Sequence, residues 1–136
     1  MLLAGDIGGT KTNLALYAPD SGLVAQAQAT FRSAHYASLE AVVKEFLATT
    51  TEKVDKAVFG VAGPVIDGES TTTNLPWAIN EVALQQAFGL QEVKLLNDLE
   101  ATAYGVPQLS PSDLFQLNDA PPQSGTKVVV APGTGL

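Results

Sequence analysis

The residues with the clearest chemical potential lie near the start of the chain, in the segment Gly5-Asp6-Ile7-Gly8-Gly9-Thr10. Apolar runs flank this segment, so we expect it to form the turn of a β-hairpin. Gly8 and Gly9 tolerate positive φ and would offer N–H groups to an anion, and Thr10 and Thr12 would add hydroxyl donors. Asp6 would hold a hydrated divalent cation. The segment therefore predicts a site for a polyphosphate and its metal ion. An ordinary Gly-Gly hairpin turn is the alternative that this segment alone leaves open.

Two better-known phosphate loops do not fit these residues. A Walker A loop requires glycine directly before its lysine, whereas Thr10 precedes Lys11. The glycines of a Rossmann motif open a helix, whereas the residues 14–17 have the pattern of a strand.

A second chemical candidate is the pair Asn97-Asp98, which follows the apolar run 92–96 and precedes a helical pattern that begins at Leu99. Ligands of α/β proteins bind beyond the carboxyl ends of strands, where this pair would lie. A carboxylate there can accept the proton of a substrate hydroxyl while the amide binds the sugar or alcohol. Asn97 and Glu100 also have the spacing of a helix capping box, so a purely structural role stays open.

Three further segments combine glycine or proline with polar residues. Asn74 would donate hydrogen bonds to a bound polyol, and Trp77 would wall the same pocket or pack over the core. Ala62-Gly63-Pro64 either ends a strand or brings the backbone close to a ligand, as glycine permits. The last segment, Gly133-Thr134-Gly135, is a second glycine-threonine turn that directly follows a predicted strand.

These residues need a sheet to bring them together, and the hydrophobic pattern predicts one. Strands are expected at 2–6, 12–17 and 23–31, then at 56–61, 68–73, 92–96 and 127–131. Helices are expected after the N-cap Ser38, at 79–88 with a stop at Gly89, and at 99–104. The residues 107–125 are expected to form an irregular loop. This order predicts an α/β fold whose mixed sheet starts with a three-strand antiparallel meander and carries helices on its faces.

Composition excludes several classes of function. The net charge of −7 over 136 residues argues against nucleic-acid and anionic-membrane partners, and no apolar run is long enough to span a bilayer. The chain has no cysteine, and its single histidine, His35, rules out a multi-histidine metal site. The first residues have no basic region of a signal peptide, so we expect a cytoplasmic protein.

Taken in order, five motifs resemble those of the bacterial glucokinase family, of the hexokinase–actin–Hsp70 superfamily. They are Gly5–Thr10, Ala62–Pro64, Thr73–Trp77, Leu96–Asp98 and Pro132–Leu136. The resemblance implies a ribonuclease-H-like (actin-like ATPase) domain. It also implies ATP-dependent, magnesium-assisted phosphorylation of glucose at its 6-hydroxyl, the first step of glycolysis.

The resemblance also implies roles for individual residues. Asp98 would be the catalytic base, and Asn97, Asp98 and Asn74 would bind glucose. The residues of the first candidate segment would form the first phosphate loop, with Asp6 holding Mg²⁺ through water. Gly133, Thr134 and Gly135 would begin the second phosphate loop.

Members of this family are more than twice as long as this chain. The resemblance therefore assigns 1–126 to the first lobe of a sugar kinase, and 127–136 to the first strand and truncated phosphate loop of a second lobe. Lobe closure excludes water in such kinases, so this piece alone is expected to be inactive. A homodimer of the parent protein would form through the missing second domain.

Two alternatives remain at this point. One is a related sugar kinase of the repressor/open-reading-frame/kinase group, acting on mannose, N-acetylglucosamine or another hexose. Zinc-ligand cysteines beyond these residues would favour it. The other is a non-catalytic domain with the same fold, because one fold hosts many functions. The phosphoryl donor also stays open between ATP, ADP and polyphosphate.

Overall fold

The computed structural model describes residues 1–72, 75–121 and 123–132. The chain divides into two compact units, Met1–Asp98 and Leu99–Leu136. The elements in chain order are β1 (Leu2–Ile7), β2 (Lys11–Tyr17), β3 (Ala25–Arg32), α1 (Leu39–Leu47), β4 (Lys56–Val61), β5 (Glu69–Thr71), β6 (Ala78–Asn80), α2 (Glu81–Phe88), β7 (Glu92–Asn97) and α3 (Asp98–Gly105). Short 3₁₀ helices occur at Ser33–His35, Val106–Gln108 and Pro111–Asp113.

Five strands form the main sheet in the order β3-β2-β1-β4-β7. The first three strands are an antiparallel meander. β4 and β7 both run parallel to β1, so the sheet is mixed. β5 and β6 form a separate antiparallel pair. The predicted α/β fold with an initial three-strand meander is therefore confirmed.

One face of the main sheet carries the hydrophobic core. Leu3, Leu14, Phe59 and Leu95 come from four different strands, and each is at most 1% exposed. They belong to a single cluster with the buried side chains of α1 and α2. Burial of such side chains is the main source of stability in a domain of this size.

The ends of the first two helices follow from their flanking residues. Ser38 precedes α1, and its side chain accepts a hydrogen bond from the Ala41 N–H, as the sequence predicts. Gly89 ends α2 in the left-handed region at φ 63°, which glycine adopts without a Cβ penalty. No helix among the described residues is long and apolar enough to cross a membrane.

The helix predicted at 79–88 begins two residues later than expected, so that prediction is wrong at its start. Ile79 and Asn80 belong to β6, where Ile79 pairs with Ser70 of β5 and is 2% exposed. Asn80 then serves as the N-cap of α2, because its Oδ1 accepts the Ala83 N–H at 2.9 Å. Strand pairing over a distance in sequence determines this boundary, and helical periodicity does not report it.

Three predicted strands also change. The strand expected at 68–73 begins at Glu69, because Gly68 has a φ of 76°, and within the described residues it ends at Thr71. β3 begins at Ala25, because the Val24 N–H donates to the Ser21 carbonyl and the preceding turn extends that far. The residues 127–131 form no strand, since none of the residues described pairs with them in a ladder. No described residue after Asp98 is buried. The lobe boundary expected after residue 126 stays a prediction.

Candidate active site

The carboxyl ends of three parallel strands meet at one edge of the main sheet. Ile7 of β1 pairs with Val61 of β4, and Val61 pairs with Asn97 of β7, so the three residues lie in one row. Neighbouring strands are about 4.8 Å apart, which places Ile7 and Asn97 roughly 10 Å from each other. The turn after β1, the turn after β4 and the Asn97-Asp98 pair therefore share this edge, as the strand-end argument predicts.

The turn between β1 and β2 is a tight hairpin. The Gly8 N–H donates to the Lys11 carbonyl at 2.9 Å, which leaves Gly9 and Thr10 at the tip. The sequence argument invoked positive φ for Gly8 and Gly9, but neither residue has it. Glycine is favoured at position 8 for a different reason, since a Cβ there would lie 3.0 Å from the Lys11 carbonyl oxygen, a tight contact.

Gly5 and Ile7 face the core and not the open side of the sheet. A Cβ on Gly5 would lie 2.5 Å from the Phe59 Cδ1 atom, and Ile7 is 1% exposed. Only their main-chain atoms are therefore available to a ligand. Their assignment to the phosphate loop stays a prediction.

Asp6 points to the other face of β1, where it lies exposed beside two polar side chains. It shares one row of the sheet with Asn13 of β2 and Thr30 of β3. The Thr30 hydroxyl donates to Asn13 Oδ1 at 2.8 Å, and Asn13 Nδ2 donates to Asp6 Oδ2 at 3.1 Å. Thr30 thus fixes the orientation of the Asn13 amide, which in turn holds one carboxylate oxygen of Asp6.

Neither Asn13 nor Thr30 was identified as a site residue from sequence. The sequence carries little signal for them, because 11–13 are all polar and 14–17 are all apolar, so the alternation of exposed and buried residues along β2 is not visible in the residue types. Only the register between the strands shows that Asp6 is the partner of Asn13.

Asn97 connects the ends of β7 and β4. Its Nδ2 donates to the Gly63 carbonyl at 2.9 Å, across 34 residues of sequence. Gly63 lies in a tight turn in which its N–H donates to the Val61 carbonyl at 2.9 Å. A Cβ on Gly63 would lie 3.2 Å from the Thr71 carbonyl oxygen, so a close approach of backbone explains this glycine. The structure thus brings together two motifs that the sequence treats separately.

Asp98 follows Asn97 as the first residue of α3, and its side chain is exposed. It lies at the strand-end position expected of it. Trp77 is 1% exposed and its Nε1 donates to the Tyr36 carbonyl at 3.1 Å, which confirms the prediction that it packs in the core. Asn74 and Gly133, Thr134 and Gly135 lie outside the described residues.

The ion pairs with shifted pKa values lie at the opposite edge of the sheet. The hydrogen bond from the N-terminal ammonium at 2.8 Å lowers the pKa of Asp55, to which the same charge and that of Lys53 add smaller effects. The hydrogen bond between Lys56 and Glu92, 2.7 Å long, raises the pKa of Lys56 and lowers that of Glu92. These pairs connect the starts of β1, β4 and β7. They therefore lie at the end of the strands opposite the candidate site and take no part in it.

Within the ranges that the structure describes, no three carboxylate, histidine or cysteine side chains gather closely enough to bind a metal ion directly. Magnesium in phosphate sites is commonly held by one or two carboxylates, water and the phosphates of the substrate. The exposed carboxylate of Asp6 beside the β1–β2 turn fits that second type of site.

Comparison with known proteins gives a consistent result. The family model described as "Glucokinase" matches residues 3–136. Glucokinases from Yersinia enterocolitica and Nostoc punctiforme are each 38% identical to this chain, over 98% and 100% of its length respectively. The chain spans 42% and 41% of those two relatives.

The fold is shared with solved sugar kinases. A glucokinase from an Antarctic psychrotroph has a TM-score of 0.75 and 31% identity, covering 87% of this chain and 40% of its own. A ROK family glucokinase from Streptomyces griseus, solved with glucose and AMPPNP, has a TM-score of 0.61 and 22% identity. It covers 76% of this chain and 35% of its own, and at that identity the likeness concerns the fold. The ribonuclease-H-like fold predicted from sequence is confirmed.

Proposed function

The chain belongs to the glucokinase family, and we propose that the protein containing it transfers a phosphoryl group from ATP to the 6-hydroxyl of glucose. One observation carries this proposal. The β1–β2 turn and the Asn97-Asp98 pair lie at the same edge of one sheet, about two strand spacings apart. A polyphosphate on the turn and a sugar beside the pair would therefore meet in the same crevice.

Asp98 is the proposed general base. Its exposed carboxylate lies at the strand end. There it would accept the proton of the attacking sugar hydroxyl as that oxygen bonds to the γ-phosphorus of ATP and the bond from the γ-phosphorus to the leaving ADP breaks. Asn97 is proposed to bind the sugar. Its Nδ2 is held by the Gly63 carbonyl, so its side chain has a fixed orientation before any substrate arrives.

The β1–β2 turn is proposed to bind phosphate. The small residues Gly8, Gly9 and Thr10 let oxygen atoms approach the main chain, with the Thr10 hydroxyl as a further donor. Asp6 would hold hydrated Mg²⁺, with its carboxylate oriented by Asn13 at 3.1 Å. When bound, the ion would neutralise charge on the phosphates during transfer.

The remaining assignments are proposals for the protein as a whole. Asn74 would bind the sugar, and Gly133, Thr134 and Gly135 would begin a second phosphate loop. The residues 1–136 alone are proposed to be inactive, because closure of two lobes is needed to exclude water from the transfer. We further propose a cytoplasmic glycolytic enzyme without nucleic-acid or membrane partners, which dimerises through the part outside these residues.

A coupled assay of hexose phosphorylation tests the proposal. It would compare the 136-residue chain with a protein that carries this chain and the rest of the glucokinase length. Both would receive ATP, Mg²⁺ and, in turn, glucose, mannose and N-acetylglucosamine. We expect activity only in the longer protein and the highest kcat/KM for glucose. Preference for another hexose would assign a different sugar specificity. The absence of phosphorylation by the longer protein with every sugar would contradict the kinase assignment.

A further inference from the structure

Two fully buried hydroxyl groups lie behind the β1–β2 turn, and the proposed function makes no use of them. Thr12 of β2 and Ser33, just after β3, are both 0% exposed. The expectation that the Thr12 hydroxyl donates to a ligand is therefore wrong, because its side chain points into the protein. Their hydroxyl oxygens are 3.0 Å apart, and the Ser33 hydroxyl also donates to the Gly8 carbonyl at 2.8 Å. The Ser33 N–H donates to the Thr10 carbonyl at 3.1 Å. Ser33 therefore binds the turn at two points.

The direction of these hydrogen bonds is determined by the number of hydrogens available. A serine hydroxyl has one hydrogen, and that of Ser33 goes to the Gly8 carbonyl because a carbonyl can only accept. The Thr12 hydroxyl must then be the donor to Ser33 Oγ. The chain Thr12 to Ser33 to Gly8 has a single polarity, and each bond polarises the next inside the protein, where the effective dielectric constant is low.

The bond to Gly8 determines which way a turn amide points. In a planar trans peptide the C=O and the N–H point in opposite directions. Because the Gly8 carbonyl points at the buried Ser33 hydroxyl, the N–H of Gly9 in the same peptide points away from it, to the outer side of the turn. A free Gly8–Gly9 peptide could rotate, since neither residue has a side chain to restrict it.

We propose that Ser33 is a positioning residue for phosphate binding, supported from behind by Thr12. Its role is to fix the Gly8–Gly9 peptide so that the Gly9 N–H is presented to a phosphate oxygen of the nucleotide. The proposal rests on the proposed function of the turn. It adds Ser33 and Thr12, which are buried behind the turn, whereas the phosphate would bind to its outer side. A pair that served packing alone would not need two hydroxyl groups, because buried hydroxyls incur a desolvation cost.

The test uses the longer protein described above and measures MgATP affinity by calorimetry, the KM for glucose, and amide hydrogen exchange of the peptide covering Gly8 to Lys11. Ser33→Ala removes both the donor to Gly8 and the acceptor for Thr12. Thr12→Val keeps the shape of the side chain and removes only the donor, and Thr12→Ser restores it. Ser38→Ala is the matched control, because it removes a serine hydroxyl that caps α1 and does not contact the turn.

We expect Ser33→Ala to weaken MgATP binding about tenfold and Thr12→Val about threefold, as the loss of one or two net hydrogen bonds predicts. Exchange in the turn should become faster in both variants, while the KM for glucose stays within about twofold of wild type. Thr12→Ser should bind MgATP like wild type, and so should Ser38→Ala. Even if Ser33→Ala fails to fold, the comparison of Thr12→Val with Thr12→Ser still tests the inference.

The failure of this inference and that of the proposed function are distinguishable. If wild type binds MgATP and both Ser33→Ala and Thr12→Val bind it with unchanged affinity, the positioning role is wrong and the kinase assignment is unaffected. If wild type binds no MgATP at all, the phosphate site itself is refuted. If Ser33→Ala and Thr12→Val lower the stability of the protein but the folded variants bind MgATP with wild-type affinity, the role of Ser33 is structural only.

Discussion

Gly5 provides the sharpest test of how the strand before the turn is built. A methyl group added at this position would lie 2.5 Å from Phe59 Cδ1 and 2.9 Å from Leu14 Cδ2. Ordinary contacts begin at 3.4 Å, so the first distance is short by about 0.9 Å. Phe59 and Leu14 are each 1% exposed, and side chains in a densely packed core move little to make room for an added group.

The magnitude follows from two opposing effects. Overpacking a dense core costs about 1–3 kcal/mol. Replacing glycine by alanine in a strand recovers about 0.5–1 kcal/mol of backbone entropy. Because the methyl group would overlap Phe59 by about 0.9 Å, we take the upper half of the overpacking range, about 2–3 kcal/mol. We therefore expect Gly5→Ala to lower the free energy of unfolding by about 1–2.5 kcal/mol, which corresponds to a decrease in Tm of about 3–9 °C.

Urea unfolding followed by tryptophan fluorescence measures this change. Trp77 is the only tryptophan of the chain and is 1% exposed, so its emission reports the unfolding of the unit that contains Gly5. Gly105→Ala is the matched control, since it adds the same methyl group where nothing lies within 4 Å. That variant should leave the midpoint of the Trp77 transition within the error of wild type.

A double-mutant cycle then tests the cause. Phe59→Val removes the ring atoms that a methyl group on Gly5 would meet, at a cost of about 2–3 kcal/mol for the lost burial. In the double variant the added methyl group should occupy the vacated space, so the combined loss should be smaller than the sum by at least about 1 kcal/mol. Additivity within about 0.5 kcal/mol, or a Gly5→Ala variant as stable as wild type, would refute the steric argument.

Three further predictions concern carboxylates. Asp98→Asn in the longer protein should lower kcat by about 10²–10⁴ while glucose affinity changes little, and turnover within about tenfold of wild type would remove Asp98 from the role of base. Asp6→Asn should raise the Mg²⁺ concentration needed for half-maximal activity, and an unchanged metal dependence in the same assay would contradict its role. The pKa of Asp55 is lowered in the folded chain by the Met1 ammonium, so its contribution to stability is present above about pH 4 and is lost as the pH falls through the folded pKa. Asp55→Asn should therefore flatten the acid side of the stability curve measured by urea unfolding, and superimposable pH profiles would disprove this link.

The parts of the fold that were predicted correctly depend on local pattern. Apolar runs and turn residues give β1, β2, β4 and β7 to within a residue or two, and Ser38 and Gly89 mark helix ends through their own chemistry. Ile79 was misassigned, because an apolar residue beside a helix start fits a helix or a short strand equally well. Its pairing with Ser70 in β5 decides between the two, and that pairing is not visible in the local pattern.

In the candidate site, too, local sequence pattern identifies some residues, and others depend on contacts between distant parts of the chain. Asp6, Asn97 and Asp98 could be identified because their residue types stand at strand ends, where ligands bind. Ser33 could not, because a single serine in a connection is a common residue, and its importance comes from bonds to Gly8 and to Thr12, 25 and 21 residues away. Gly8 was identified for the wrong physical reason. Its backbone needs the space that a Cβ would occupy, and does not need a left-handed conformation.

The side chains that hold the main chain at the strand ends have a thermodynamic consequence. The carbonyl groups of Gly8 and Gly63 are bound by Ser33 and Asn97 within the fold itself. The conformational entropy of these two turns is therefore lost during folding and not during association with a ligand. The heat-capacity change of ligand binding, measured by calorimetry, should accordingly reflect the surface buried at the contact and by closure of the lobes, with no added contribution from ordering of these two turns.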